Sequence, residues 1–378
     1  MPRIAIDVRA LVGTPTGIGV YTRALLAALS RRGGWELVGM AHRSPETNGW
    51  AAGAGVSVEV QPAPSGVLWQ QLALPRRLAR GDIDLLWSPL QTLPLAGRTP
   101  AVVTVHDLTA LLLPETHRLE VRLSQAPFLE RSLRRARRVV AVSEATAEDL
   151  RHFFPEASAK VRVVPNGVAP EFRPAGEEAV AETRRELGLP RGYLLYAGTL
   201  EPRKNVHRLV AAWEALRHEE QGALPLVLVG PYGWKSRALV RRLAALAPQG
   251  LRLLGRVEPA RLVQLMQAAT VFVYPSLYEG FGLPAAEAMA CGVPVVASRA
   301  ASLPEVVGDA GLLVDPEDAG ELGGAIRHLL DRPDRRRELA ARGLRRAAAF
   351  TWERAAETMD ALFREALAPA SAAEARSR

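Results

Sequence analysis

With 378 residues, 48% of them hydrophobic and 23% charged, the chain has the length for two domains and the apolar content for substantial cores, which excludes wholesale disorder. A single cysteine, Cys291, excludes an intrachain disulfide and points to a reducing, cytoplasmic setting. The start, MPRIAIDV, reads as a strand and not a signal peptide, and no apolar run approaches the roughly 18 residues of a transmembrane helix.

The net charge of +8 is uneven, with a surplus of +6 in residues 1–175. It is sharpest at 117–138, where Arg118, Arg122, Arg131, Arg134, Arg135, Arg137 and Arg138 face only Glu120 and Glu130. One reading is a solvated helix face in an arginine-rich chain. The other is peripheral attraction to an anionic lipid surface, for which 117–138 is the expected contact. No aromatic interleaving or nucleic-acid motif accompanies these arginines, so nucleic acid is not an expected partner.

Short β-rich runs alternate with helical stretches from end to end. In chain order the expected strands are 3–8, 36–41, 56–60, 85–88, 101–107, 138–143 and 161–166, then 193–198, 225–230, 251–255, 271–276, 294–298 and 311–315. Most are near-continuous Val/Ile/Leu runs, which marks strands covered on both faces of a parallel sheet. Thirteen strands exceed what one strongly twisted open sheet usually holds, about ten. Two doubly wound α/β domains, facing a central cleft, are therefore expected. Strand signals stop at PNGVAPEFRPAGEE, which places the division at 1–172 and 173–351. The amphipathic WERAAETMDALFREAL within 352–378 is a terminal helix expected to pack back on the first domain.

Ligands of open α/β sheets bind at the carboxyl ends of strands, and four clusters lie there. In PSLYEGFGLPAAEAMACGVPVVAS a glycine-rich turn precedes a helix with Pro284 in its first turn, an arrangement that offers free N–H groups to an anion. Glu279 lies before that helix and Glu287 inside it. Carboxylates beside a phosphate site need a hydroxyl or a cation of their own, and the diol of a ribose or sugar supplies one. In AGTLEPRKN, Gly198 lets the backbone approach a ligand and Arg203 and Lys204 offer adjacent cations; only three of the 48 basic residues are lysines. Two fixed cations can stabilise a departing diphosphate without a metal. TVHDL ends a strand on His106 and Asp107. GTPTGIG carries Gly13, Gly17 and Gly19 but lacks the G-x-G-x-x-G spacing of a dinucleotide site.

GPYGWKS imitates a P-loop, yet Trp234 stands where a glycine must precede the lysine, which excludes that cradle. The histidines are scattered, no Cys/His cluster is present, and no metal site is expected. No G-x-S-x-G nucleophile motif is found, and Cys291 reads as a packed small residue.

Glu279 and Glu287 form an E-x7-E pair within YEGFGLPAAEAMACGVPVVAS. Together with AGTLEPRKN, VSEATAEDL and VVPNGV, in this order and at strand ends, they resemble the signature of family 4 retaining glycosyltransferases of GT-B fold. The resemblance covers nearly the whole chain and is strongest to bacterial mannosyltransferase-like enzymes of surface polysaccharide synthesis. It implies a metal-independent hexosyltransferase that needs no cofactor and uses a nucleoside-diphosphate sugar, GDP-mannose by preference, with a glycan or lipid-linked acceptor. Arg203 and Lys204 would hold the donor diphosphate, Glu287 the ribose and Glu279 the sugar. Gly280, Phe281, Gly282 and Leu283 would lie against sugar and phosphates. His106 would sit at the reacting centre, and Gly17 and Gly19 would form a loop closing over the diphosphate. The paired glycine usual early in that loop is replaced here by GTPTGIG. A nucleotide-sugar epimerase and a non-catalytic nucleotide-sugar-binding subunit are the alternatives, and the joint presence of Arg203, Lys204, Glu279 and Glu287 favours an active transferase.

Overall fold

A computed structural model describes residues 1–13, 16–45, 50–53, 55–116, 128–189, 191–219 and 224–369. The chain divides into two compact units, residues 1–167 with 352–378, and residues 168–351.

In the first unit the strands are β1 (Arg3–Asp7), β2 (Glu36–Ala41), β3 (Ser57–Val60), β4 (Leu85–Ser88), β5 (Ala101–Val105), β6 (Arg138–Ala141) and β7 (Val161–Val163). They form one sheet in the order β3-β2-β1-β4-β5-β6-β7, parallel throughout. In the second unit β8 (Leu194–Ala197), β9 (Leu226–Val229), β10 (Leu251–Gly255), β11 (Val271–Tyr274), β12 (Val295–Ser298) and β13 (Gly311–Val314) pair in the order β10-β9-β8-β11-β12-β13, again all parallel. Central strands such as β4, β5, β8, β9 and β11 are buried at every position. That explains their unbroken apolar sequences, because helices cover both faces. Both units are Rossmann-like. Each sheet reverses its winding beside its first strand, so the crevices for ligands lie between β1 and β4 and between β8 and β11.

The helix Trp352–Leu367 belongs to the first unit. Its buried face, Trp352, Ala355, Ala356, Met359 and Phe363, repeats at helical spacing. Tyr21 meets the Trp352 ring edge-on at 5.8 Å, and Phe363 packs on Trp35 and Trp87. The Trp35 indole donates to Asp360 at 2.6 Å.

The expected basic face at 117–138 lies partly outside the described residues, which resume at 128. In the described part Arg134, Arg135, Arg137 and Arg138 have partners within the unit, whereas Arg131 is exposed. Arg137 donates to the carbonyls of Ala366 and Ala368 at 2.9 and 2.7 Å, satisfying acceptors at the end of the terminal helix. Arg138 pairs with Glu365 and Arg134 with Glu130. Arg135 is half-buried and donates to the Thr99 carbonyl.

Replacing Asp360 by alanine leaves the buried Trp35 N–H without its acceptor. Denaturant unfolding should show a loss of about 1–3 kcal/mol.

Candidate functional site

The second unit builds its crevice from the turns after β8 and β11. Beyond β8 the chain makes a single 3-10 turn, Pro202–Lys204, and Asn205 closes it in the left-handed region at φ 57°. Asn205 is fully buried, and its amide donates to the carbonyls of Pro275 at 2.9 Å and Pro316 at 2.6 Å. The Leu277 N–H donates to the Arg203 carbonyl at 2.9 Å. The Arg–Lys turn is thereby fastened to the segments that leave β11 and β13.

On that frame Arg203, Lys204 and Glu279 come together. Lys204 Nζ donates to both Glu279 oxygens, at 2.6 and 2.9 Å, and to the Tyr274 hydroxyl at 3.1 Å, which uses all three of its donors. Arg203 donates to Glu279 at 3.3 Å, to the Tyr278 carbonyl at 2.8 Å and to Glu201 at 3.0 Å. Burial alone would raise the Glu279 carboxyl, but Lys204 and Arg203 outweigh it and hold Glu279 at about 2. Burial pulls Lys204 downward from the usual lysine range, opposed by Glu279. With the carboxylate and ammonium 2.6 Å apart, both groups are ionised.

After Glu279 the chain turns sharply at Gly282, φ 89°, which caps the helix Leu283–Ala290. A Cβ at Gly282 would lie 2.5 Å from Leu303 Cδ2, a side-chain tip that could shift, so it is the left-handed backbone that favours glycine here. Phe281 is buried edge-on against Phe350 at 5.4 Å, and the Ser302 hydroxyl donates to the Glu279 carbonyl at 2.9 Å. Glu287 sits inside this helix, 8% exposed, with no side-chain hydrogen-bond partner among the described residues. Burial pushes its carboxyl up to about 8. One carboxylate of the E-x7-E pair is thus neutralised within the unit, and the other is available to a ligand.

Gly198 is crossed closely by the turn that holds Gly230. A Cβ at Gly230 would fall 2.0 Å from the Gly198 carbonyl oxygen, so the turns after β8 and β9 pass backbone against backbone. The GPYGWKS segment is tied to the AGTLEPRKN turn by the pairing of Leu200 with Tyr232. Lys235 lies over the Trp234 ring at 4.5 Å in the segment after β9.

In the first unit His106 follows β5. Its Nε2 lies 2.9 Å from the Pro89 carbonyl, and the Tyr21 ring meets it edge-on at 4.8 Å. Burial pulls the imidazole below its usual pKa, opposed by the Pro89 carbonyl and Asp107. A carbonyl can only accept, so the neutral ring carries its proton on Nε2 and leaves the Nδ1 lone pair free. Asp107 accepts from the Thr109 N–H and hydroxyl and closes a local turn. Gly17 and Gly19 depart from expectation: both lie in the first turn of the helix Gly17–Arg32, not in a loop. The Thr16 side chain accepts from the Gly19 N–H and starts the helix there. A Cβ at Gly19 would stand 2.7 Å from the Ala10 carbonyl oxygen, so close packing of the helix start requires this glycine.

Sequence reasoning missed Tyr274, Asn205 and Ser302. Asparagine's tolerance of left-handed backbone was the one available signal for Asn205. Among the described residues no group of three or more His, Cys, Asp or Glu is arranged to hold a metal ion, and no helix is long and apolar enough to cross a membrane.

The model of the glycosyl transferases group 1 family matches residues 180–346, and that of glycosyltransferase family 4 matches residues 15–172. The chain is 37% identical over 255 residues to the O-antigen chain mannosyltransferase B of Escherichia coli, covering 67% of each chain. It is 30% identical over 262 residues to the serotype-specific mannosyltransferase WbdA of Escherichia coli, covering 66% of this chain and about a third, 32%, of that larger protein. Among solved structures, sucrose-phosphate synthase from Thermosynechococcus elongatus superposes with a TM-score of 0.75 at 27% identity, over 97% of this chain and 99% of that one.

Because its carboxyl is raised to about 8, Glu287 costs the ligand-free protein stability as pH rises from about 4.5 through 8. Glu287→Gln should therefore unfold later than the wild type at pH 8. The two should converge near pH 4.5, as read by denaturant titration at each pH.

Proposed function

The chain belongs to the group 1, family 4 glycosyltransferases, and on that footing we propose that it moves mannose from GDP-mannose, with retention and without a metal, to a glycan or lipid-linked acceptor in surface polysaccharide synthesis. The observation that carries this reading is the buried Lys204–Glu279 pair with partly buried Arg203, set beside a helix start and the unpaired Glu287. The mannosyltransferases among its relatives support the choice of sugar. They are transferases, and no similar observation favours an epimerase or an inactive binding subunit.

Donor binding then works by exchange. The donors of Lys204 are all occupied in the ligand-free protein, so a diphosphate takes the place of Glu279 on Lys204 and Arg203. The released Glu279 carboxylate accepts from hydroxyls of the sugar. Glu287, otherwise buried at a cost, accepts from the ribose hydroxyls. Gly280, Phe281, Gly282 and Leu283 present backbone to the sugar and phosphates, and His106 accepts a sugar hydroxyl at Nδ1. Gly198, Gly17 and Gly19 let the backbone come near the diphosphate. In the transfer itself the bond from the anomeric carbon to the diphosphate oxygen breaks, and the acceptor oxygen bonds to that carbon on the same face. The acceptor proton passes to a donor phosphate oxygen. The diphosphate leaves with its electron pair, stabilised by Arg203, Lys204 and the helix start.

The test is transfer from GDP-mannose, GDP-glucose and UDP-glucose in the presence of a chelator, with the product anomer read by NMR. Transfer of mannose with retention supports the reading; transfer only from another donor, or only with added metal, overturns that part of it. Lys204→Ala should lower turnover about 10²–10³-fold, and near wild-type turnover would remove Lys204 from its role. Glu287→Gln should raise the KM for donor more than it lowers kcat.

A further inference from the structure

We propose that the face of the first unit carrying Val67, Leu68, Leu72 and Leu95 docks on an anionic lipid surface. The proposal rests on the reading of a lipid-linked acceptor and gives it a place on the molecule.

The face is built on residues 66–78, a helical run with a π-helical stretch at Trp69–Ala73. Its inner side is anchored by Trp69, Leu74 and Leu78, all buried. Its outer side leaves Val67 56%, Leu68 46% and Leu72 49% exposed. Leu95, 41% exposed, is fastened beside them, since its N–H donates to Gln71 Oε1 at 2.9 Å. Four of the nine large apolar side chains exposed among the described residues therefore lie on this segment and the loop fastened to it. Scattered exposed leucines need no explanation; a cluster does.

Charge identifies the occupant. Residues 60–81 and 85–106 contain Arg76, Arg77, Arg80 and Arg98 and no Asp or Glu. Arg77 is buried and paired with Glu59 and Asp82, whereas Arg76, Arg80 and Arg98 are exposed and have no ion pair among the described residues. Aliphatic side chains flanked by free arginines suit acyl chains beneath anionic headgroups. A sugar would want aromatic and hydrogen-bonding groups, and a second copy of the same face would set arginine against arginine.

Co-sedimentation with vesicles of phosphatidylglycerol and phosphatidylcholine tests the proposal, against vesicles of phosphatidylcholine alone. Binding to the mixed vesicles, weakened by salt, is expected. Arg98→Glu should reduce it about fivefold or more, and Leu68→Glu with Leu72→Glu by about tenfold or more. An unchanged thermal shift with GDP would show that the variants remain folded. Absence of wild-type binding, or equal binding by the double leucine variant, overturns the proposal. So does a concentration-dependent dimer that the leucine variant abolishes, which would assign the face to self-association. Transfer from GDP-mannose to a soluble mannose oligosaccharide is measured in parallel. Wild-type protein that transfers mannose but does not bind the vesicles refutes this surface alone, and wild-type protein that binds them but transfers nothing refutes the proposed function alone.

Discussion

A buried lysine and glutamate, with a partly buried arginine beside them, set the constraint on which the crevice of the second unit depends. Glu279 can be buried and ionised because Lys204 and Arg203 reach it at 2.6 and 3.3 Å. Removing one partner from such a pair leaves an uncompensated charge, at about 3–5 kcal/mol. The surrounding geometry follows from keeping these atoms in register. Asn205 holds the cationic turn to the segments after β11 and β13, Ser302 holds the Glu279 carbonyl, and Tyr274 takes the last lysine donor. Ion pairs confer little net stability when buried. Here the pairing maintains two cations and a carboxylate, desolvated and pre-oriented, at the crevice of the sheet.

The glycines around this cluster are set by contact with protein as much as by any ligand. Gly230 lets two backbone turns cross where a side chain would overlap the Gly198 carbonyl, and Gly282 starts its helix in the left-handed region under Leu303. In the first unit Gly19 similarly lets a helix begin against Ala10. A ligand then meets backbone whose path is already determined by packing, which lowers the cost of ordering the site upon binding.

Much of this was legible in the residues, for identifiable reasons. Every strand was visible because parallel strands covered on both faces lose the polar alternation that complicates other sheets. The E-x7-E pair and the Arg–Lys turn were visible because each is local. What was not visible is long-range or conformational. No spacing rule joins Lys204 to Glu279, 75 positions away, or His106 to the Pro89 carbonyl. Gly17 and Gly19 were expected in a loop because the family resemblance implied one there, whereas the Thr16 cap and the approach to Ala10 place them in a helix. The arginines near 137 looked like a free surface because their partners, Glu365 and the carbonyls of Ala366 and Ala368, lie at the far end of the chain.

That last arrangement bears on how the protein is made. The first unit begins at Met1, but part of its wall is the helix Trp352–Leu367, whose Phe363 and Trp352 complete the packing around Trp35, Trp87 and Tyr21. A ribosome delivers the whole of residues 168–351 before that helix emerges, and domains fold as units once their residues are available. The unit synthesised second can therefore finish folding first. Until that helix emerges the nascent first unit carries an uncovered aromatic face, which leaves it exposed to aggregation throughout the synthesis of the second unit.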